Sequence, residues 1–117
     1  MVNNEIYEIY AIKYAHSERR TGDNFIGGDA HDGPMPLDYF VWAITNKKRT
    51  IILDTGFSLD TAKIRGREYL RNPGVGLGMI GIEPSKIKNV IISHMHYDHS
   101  GNEKLFPNAI YHLQDSE

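Results

Sequence analysis

Six consecutive residues, His94-Met95-His96-Tyr97-Asp98-His99, put three imidazoles and a carboxylate into one short segment. In an extended chain, side chains two apart lie on one side, so His94, His96 and Asp98 can converge while Met95 and Tyr97 point elsewhere. A turn at Asp98 would swing His99 toward a second ion beside the first, giving two adjacent sites of nitrogen and oxygen donors. Ser100-Gly101-Asn102 follows and supplies the backbone freedom for such a turn. Any one of these histidines alone is more often a hydrogen-bonded surface or core residue than a ligand. Three in six positions with an aspartate is the pattern of a divalent metal site, and zinc fits it best. With no cysteine in the chain, imidazole and carboxylate are the donors that remain. The chemistry expected of two such ions is hydrolysis, since they make hydroxide available near neutral pH and polarise the carbonyl it attacks.

These residues need a scaffold. Glu5 to Tyr14 alternates well enough to predict a first strand. His16 to Pro36 is polar and rich in Gly, Asp and His, which predicts a long loop. Tyr39 to Thr45 and Thr50 to Leu53 predict a hairpin ending at Asp54-Thr55-Gly56, so Asp54 sits where a strand meets a loop. Ser58 to Leu70 suits a short helix weakened by Gly66. Pro73 to Gly81, with four glycines, reads as a mobile or tightly turned segment with an apolar lip at Leu77 and Met79. Glu83 to Ile87 suits one helical turn, and the apolar run in Asn89 to Ser93 predicts a buried strand that delivers the chain to His94. Ile110 to Leu113 predicts a further strand, and Asp115-Ser116-Glu117 looks like a helix start.

With the histidine run placed after a strand and Asp54-Thr55-Gly56 upstream, the sequence resembles the metallo-β-lactamase superfamily. Within it the chain is most similar to the N-acyl homoserine lactone lactonases, the quorum-quenching hydrolases. The likeness is carried by Pro34 to Ile44, Ile52 to Phe57 and Ile92 to Asn102. The resemblance covers nearly the whole chain and is far more specific for the superfamily than for the substrate. It implies an α+β fold, the αββα sandwich of two sheets flanked by helices, with the site at one edge. It implies His94 and His96 on one metal and Asp98 and His99 on the other, as in the family pattern, with both ions zinc. A later histidine for each metal, a bridging aspartate and a substrate-positioning tyrosine are implied downstream. After His99 the only histidine is His112, so residues 1–117 are expected to be the amino-terminal half of a single, truncated domain. Asp54 is expected to orient a ligand through hydrogen bonds rather than merely to cap a loop.

The activity this implies is the opening of an N-acyl homoserine lactone ring by a zinc-bound hydroxide, with Asp98 as the catalytic residue that passes a proton to the leaving alkoxide. A glyoxalase II-like thioesterase is the nearest alternative, and an inactive fragment with a partial metal site is the alternative from another class. The remaining candidates carry less. Asp29-Ala30-His31-Asp32 has ligand-type residues among turn-forming glycines, and turn chemistry or contact with substrate or a neighbouring subunit suits it better than metal. His16 and His112 read as structural. Lys63, Arg67 and Arg71 would form one basic stripe on a helix, a solvated face by default. Phe25, Leu77 and Met79 suit either an acyl-chain pocket or ordinary core packing, the commoner role.

Composition sets the outer bounds. At 117 residues, 40% hydrophobic and 24% charged, the chain is one ordinary domain. Thirteen Lys and Arg against fifteen Asp and Glu exclude the basic face that nucleic acid needs. No apolar run approaches a membrane span, so a cytoplasmic protein is expected, while the small-molecule lactone substrate is what the resemblance implies. Half a domain would leave sheet edges and apolar faces uncovered, which predicts a marginal chain or a homo-oligomer.

Overall fold

The computed structural model describes residues 5–24, 26–28, 31–46 and 48–116. One six-stranded sheet organises the chain, in the order β4-β1-β2-β3-β5-β6. Its strands are β1 (Glu8–Ser17), β2 (Leu37–Thr45), β3 (Thr50–Leu53), β4 (Glu68–Tyr69), β5 (Asn89–Ile91) and β6 (Ile110–His112). β1, β2, β3 and β4 pair antiparallel, whereas β5 joins β3 and β6 joins β5 in parallel. The sequence-based hairpin is β2–β3, paired from Trp42 opposite Leu53 to Thr45 opposite Thr50. The first strand begins and ends three residues later than its apolar alternation suggested, and an irregularity between Lys13 and Ala15 shifts its register on β2.

One face of this sheet is the core. Ile12, Val41, Ala43, Ile52 and Val90 lie on it, nearly or fully buried, and pack with Phe57, Ala62, Leu77, Ile87 and Phe106 from the connections. Strand residues alternate in direction, so their neighbours Phe40, Trp42, Ile44, Ile51 and Leu53 occupy the other face, where each stays half-buried. Ile9 and Ile110 on that face are 67% and 65% exposed. The described chain therefore forms one helix-covered sheet of the expected sandwich.

The helices are short. α1 (Thr21–Asn24) is a single turn inside the long polar segment, which an isolated bridge between Arg20 and Pro34 closes. α2 (Leu59–Arg65) starts at Ser58, whose side chain accepts the Thr61 amide, and stops at Gly66, shorter than the predicted 58–70 helix. Lys63, Arg67 and Arg71 consequently share no helical stripe, because Arg67 and Arg71 lie beyond α2. Pro73 to Met79, expected as a turned segment, is helix α3: Asn72 caps it through the Gly74 amide, proline occupies the first turn, and buried Leu77 anchors it. Capping and core burial outweigh the helix cost of its glycines. Leu77 is thus core rather than the lip of a pocket, Met79 is 72% exposed, and Phe25 lies outside the described residues. A 3-10 turn at Pro84–Lys86 fits the predicted helical turn. β5 ends at Ile91 rather than Ser93, β6 ends at His112, and Asp115 and Ser116 form a turn, with Glu117 outside the described residues. Among the described residues no helix is long and apolar enough to cross a membrane.

Candidate metal centre

β5 delivers the chain toward the site from the core, and two parallel neighbours hold its end. The Asp54 amide donates to the Ile91 carbonyl at 2.8 Å, and the Ile92 amide to the His112 carbonyl at 3.0 Å. The extended run then reaches only to His96. At Tyr97 it becomes the one-turn helix α4 (Tyr97–Ser100), with the His99 and Ser100 amides both donating to the His96 carbonyl. The expected strand-like alternation through Asp98 is therefore corrected: Asp98 and His99 sit in a helical turn, and the bend comes one residue before Asp98.

Bringing a helical turn up to His94 gathers the rings. The His94 centroid lies 4.5 Å from that of His96 and 4.1 Å from that of His99. Nε2 of His99 lies 3.3 Å from Oδ2 of Asp98. Among the described residues, no three or more His, Cys, Asp or Glu side chains are arranged as they would be around a bound ion. The donors are gathered without being convergent.

Asp54 organises this group. Its carboxylate is 2% exposed as a residue and accepts three hydrogen bonds: from the Ser93 amide at 2.8 Å, from Ser93 Oγ at 2.9 Å and from His99 Nδ1 at 2.6 Å. Ser93 Oγ also lies 2.9 Å from His94 Nδ1. One buried carboxylate thus fixes the orientation of His99 directly and of His94 through Ser93. With Nδ1 of His99 committed as donor, its Nε2 carries the lone pair in the neutral ring, facing a carboxylate oxygen. These two atoms, 3.3 Å apart, are of the nitrogen and oxygen donor types that a divalent cation takes. The donor set, three imidazoles and a carboxylate with the Nδ1 atoms of His94 and His99 held by hydrogen bonds, fits a zinc-class ion.

Asp54 reaches this position in the left-handed region, at φ 65°, uncommon for a residue with a side chain and best tolerated by Asp and Asn. Gly56 follows at φ 73°, and a Cβ there would come within 2.8 Å of the Tyr14 ring. The turn is sewn to the histidine segment by the Thr55 amide on the His99 carbonyl at 2.8 Å and the Gly101 amide on the Gly56 carbonyl at 2.8 Å. Asn102 adds two bonds to Thr55, through its amide and its Nδ2. Tyr14 of β1, fully buried, donates to the Asp98 carbonyl at 3.0 Å. Burial, and then the charge of Asp98, push its phenol far above the usual tyrosine range.

A depression of about 300 Å³ beside this group is lined by Leu37, Phe40 and Trp42 together with Asp98 and His99. Other sequence candidates lie apart from the motif. His16 on β1 bonds Asp38 and Glu18, His112 bonds Asn89, and Asp32 bonds Arg20 and the Gly22 amide. Asp29 and Ala30 lie outside the described residues. Sequence reading assigned no role at the site to Ser93 or Tyr14. Ser93 carried a signal, a hydroxyl directly before the first histidine, whereas Tyr14 lies 84 residues from its partner Asp98.

Comparison with known proteins places the family and the fold. Residues 34–112 match the model of the family described as the metallo-beta-lactamase superfamily. The curated N-acyl homoserine lactonase AttM of Azorhizobium caulinodans is 30% identical across 77% of this chain and 38% of its own. The solved structure of a probable metal-dependent hydrolase from Staphylococcus aureus superposes with a TM-score of 0.74 at 19% identity, covering 95% of this chain and 48% of that one. AidC, a dizinc quorum-quenching lactonase solved with a product, superposes with a TM-score of 0.69 at 18% identity, covering 94% of this chain and 42% of that one. The chain thus spans less than half the length of these proteins, and at such identities the solved structures speak for the fold alone.

Proposed function

Because the chain belongs to the metallo-beta-lactamase superfamily, we propose that it supplies the first metal-binding half of a hydrolase that opens the lactone ring of N-acyl homoserine lactones. The observation that carries this reading is the Asp54 carboxylate, which fixes His99 through Nδ1 and His94 through Ser93 beside Asp98. His94 and His96 would hold one divalent ion, and Asp98 and His99 a second, both zinc by donor type. Bound zinc supplies Lewis acidity and lowers the pKa of coordinated water.

The protein's own groups do the remaining work. Asp54 keeps the His99 and His94 rings from rotating, and Tyr14 and Thr55 hold the backbone of the turn that carries Asp98 and His99. Water adds to the lactone carbonyl carbon and the ring C–O bond breaks. The proton lost by water passes to an oxygen of Asp98 and from there to the departing ring oxygen, giving a hydroxy acid. Leu37, Phe40 and Trp42 offer apolar surface beside Asp98 that suits a substrate with an acyl chain. The four ligands number fewer than two closed zinc sites need, so the set is completed by groups beyond these four, in the same domain or in a second subunit.

Elemental analysis of the zinc-equilibrated chain, with parallel assays of hexanoyl homoserine lactone and a simple thioester, tests this reading. Zinc retained by the native chain and lost in His94→Ala and His99→Ala is expected, with any turnover favouring the lactone and falling in Asp98→Asn. Zinc indifferent to both histidines would remove the metal assignment. Preference for the thioester would replace the substrate class.

A further inference from the structure

α4 is four residues long, and its capping residue, His96, makes no side-chain hydrogen bond to it. A single helical turn has no stability of its own, since nucleation costs more than its few hydrogen bonds return. The direction in which Asp98 and His99 point is therefore imposed from outside. Two of the outside holds are on the backbone, from Tyr14 to the Asp98 carbonyl and from Thr55 to the His99 carbonyl. Asp54 holds the His99 side chain, and a further hold grips the first side chain of the turn.

Tyr97 stacks on Phe57 with centroids 5.5 Å apart, and the Arg65 guanidinium lies 3.6 Å from the Tyr97 ring centroid. Its hydroxyl accepts from Nε of Arg67 at 3.2 Å. Nη1 of the same guanidinium donates to Oγ of Ser17 at 3.2 Å, and Ser17, at the end of β1, is 3% exposed. Arg67 thus spans from the buried end of β1 to the start of the turn that carries Asp98 and His99. A planar, forked guanidinium can make both bonds at once, which an ammonium cannot reproduce in the same geometry. The ordinary role of an arginine between a short helix and an edge strand is a solvated charge. A half-buried side chain with directed bonds to two elements departs from it.

We infer that Arg67 is a positioning residue of the metal centre, a strut that holds α4 through Tyr97 so that Asp98 and His99 face His94 and His96. The inference rests on the metal reading proposed above, and the experiment separates the two. Amide hydrogen exchange on the metal-free chain, and zinc affinity by chelator competition, are measured for the native protein, Arg67→Met, Arg67→Lys, Tyr97→Phe and the Arg67→Met/Tyr97→Phe double variant. In Arg67→Met the amides of His99 and Ser100 should exchange at least about tenfold faster while those of Val41 and Ile52 keep their rates. Zinc affinity should fall about 10- to 100-fold, with lysine failing to rescue it. The double variant should be no worse than the more affected single one, because both remove the same link. Arg71→Met, which removes a guanidinium bonded to the Lys13 carbonyl instead, controls for general loss of packing and should leave exchange in α4 unchanged. Unchanged α4 exchange in Arg67→Met would overturn the inference. A native chain that takes up no zinc would remove the metal reading alone, and the exchange result would still decide whether Arg67 holds the turn.

Discussion

On β3, Ile52 is fully buried, whereas Ile51 and Leu53 on either side of it are only half-buried. The same division runs along β2, where Val41 and Ala43 are sealed while Phe40, Trp42 and Ile44 are not. Both faces carry side chains of the kind that fills cores. What separates them is that Phe57, Ala62, Leu77, Ile87 and Phe106 come down on one side. An antiparallel sheet meant to face water would alternate apolar with polar, and near-continuous apolar strands are the mark of a sheet covered twice. The difference teaches that the histidine motif stands at the end of a sheet with one covered face and one whose β2 and β3 side chains are apolar but only half-buried. Asp54, which bonds His99, Tyr14, which bonds the Asp98 carbonyl, and Arg67, which bonds Tyr97, all lie on the described residues.

That contrast can be broken most directly by truncating neighbours. Ile52→Ala should lower unfolding free energy by about 2–5 kcal/mol in urea melts, the cost of a cavity under the helices. Ile51→Ala, on the open face, should cost about 1 kcal/mol or less. Equal losses would mean that the open face is covered in solution, which sedimentation at rising concentration would then attribute to self-association.

Alkaline titration sharpens the contrast at the buried side. Tyr39 lies on the covered face, and burial, followed by its hydrogen bond with Tyr97, pushes its phenol up to about 12. A raised folded-state value means that the stabilisation is complete below the unfolded phenol value near 10 and is lost as pH climbs from there through about 12. Tyrosinate absorbance at 295 nm should rise late and together with unfolding. A component of Tyr39 ionising near pH 10 without unfolding would contradict the burial.

The smallest effect belongs to the open face. His16 is raised above its ordinary value by its hydrogen bond with Asp38 and then by that with Glu18, while Asp38 is lowered by His16 and then Lys13. The His16 contribution is present below pH 6.5 and disappears as pH rises through its raised value. The Asp38 contribution fades as pH falls through its lowered one. Ring-proton NMR should place the His16 midpoint above 6.5, closer to 6.5 in high salt, with little change in melting temperature. A midpoint at or below 6.5 would break the assigned ion pair.

The sequence showed the motif more plainly than its mounting. The histidine run, Asp54 at a strand end and the β2–β3 hairpin were legible because local spacing encodes them. Helix α3 was hidden because its glycines mask a capping asparagine and a single buried leucine, whose effects depend on tertiary contact. The bend at Tyr97 was misplaced by one residue because the holds that impose it come from Tyr14, Thr55 and Arg67, up to 84 residues away. Arg67 itself read as part of a basic stripe, since nothing in its neighbourhood foretells a bond to Tyr97.

The hydrogen bond between Gly56 and Gly101 has a consequence for heredity. A Cβ on Gly101 would stand 2.8 Å from the Gly56 carbonyl oxygen and 3.0 Å from the Phe57 Cα, while Asn102 bonds Thr55 twice. Two stretches of gene 45 codons apart therefore travel as a single lock and key, and a crossover that brings in a foreign partner for either one inherits a key cut for another door.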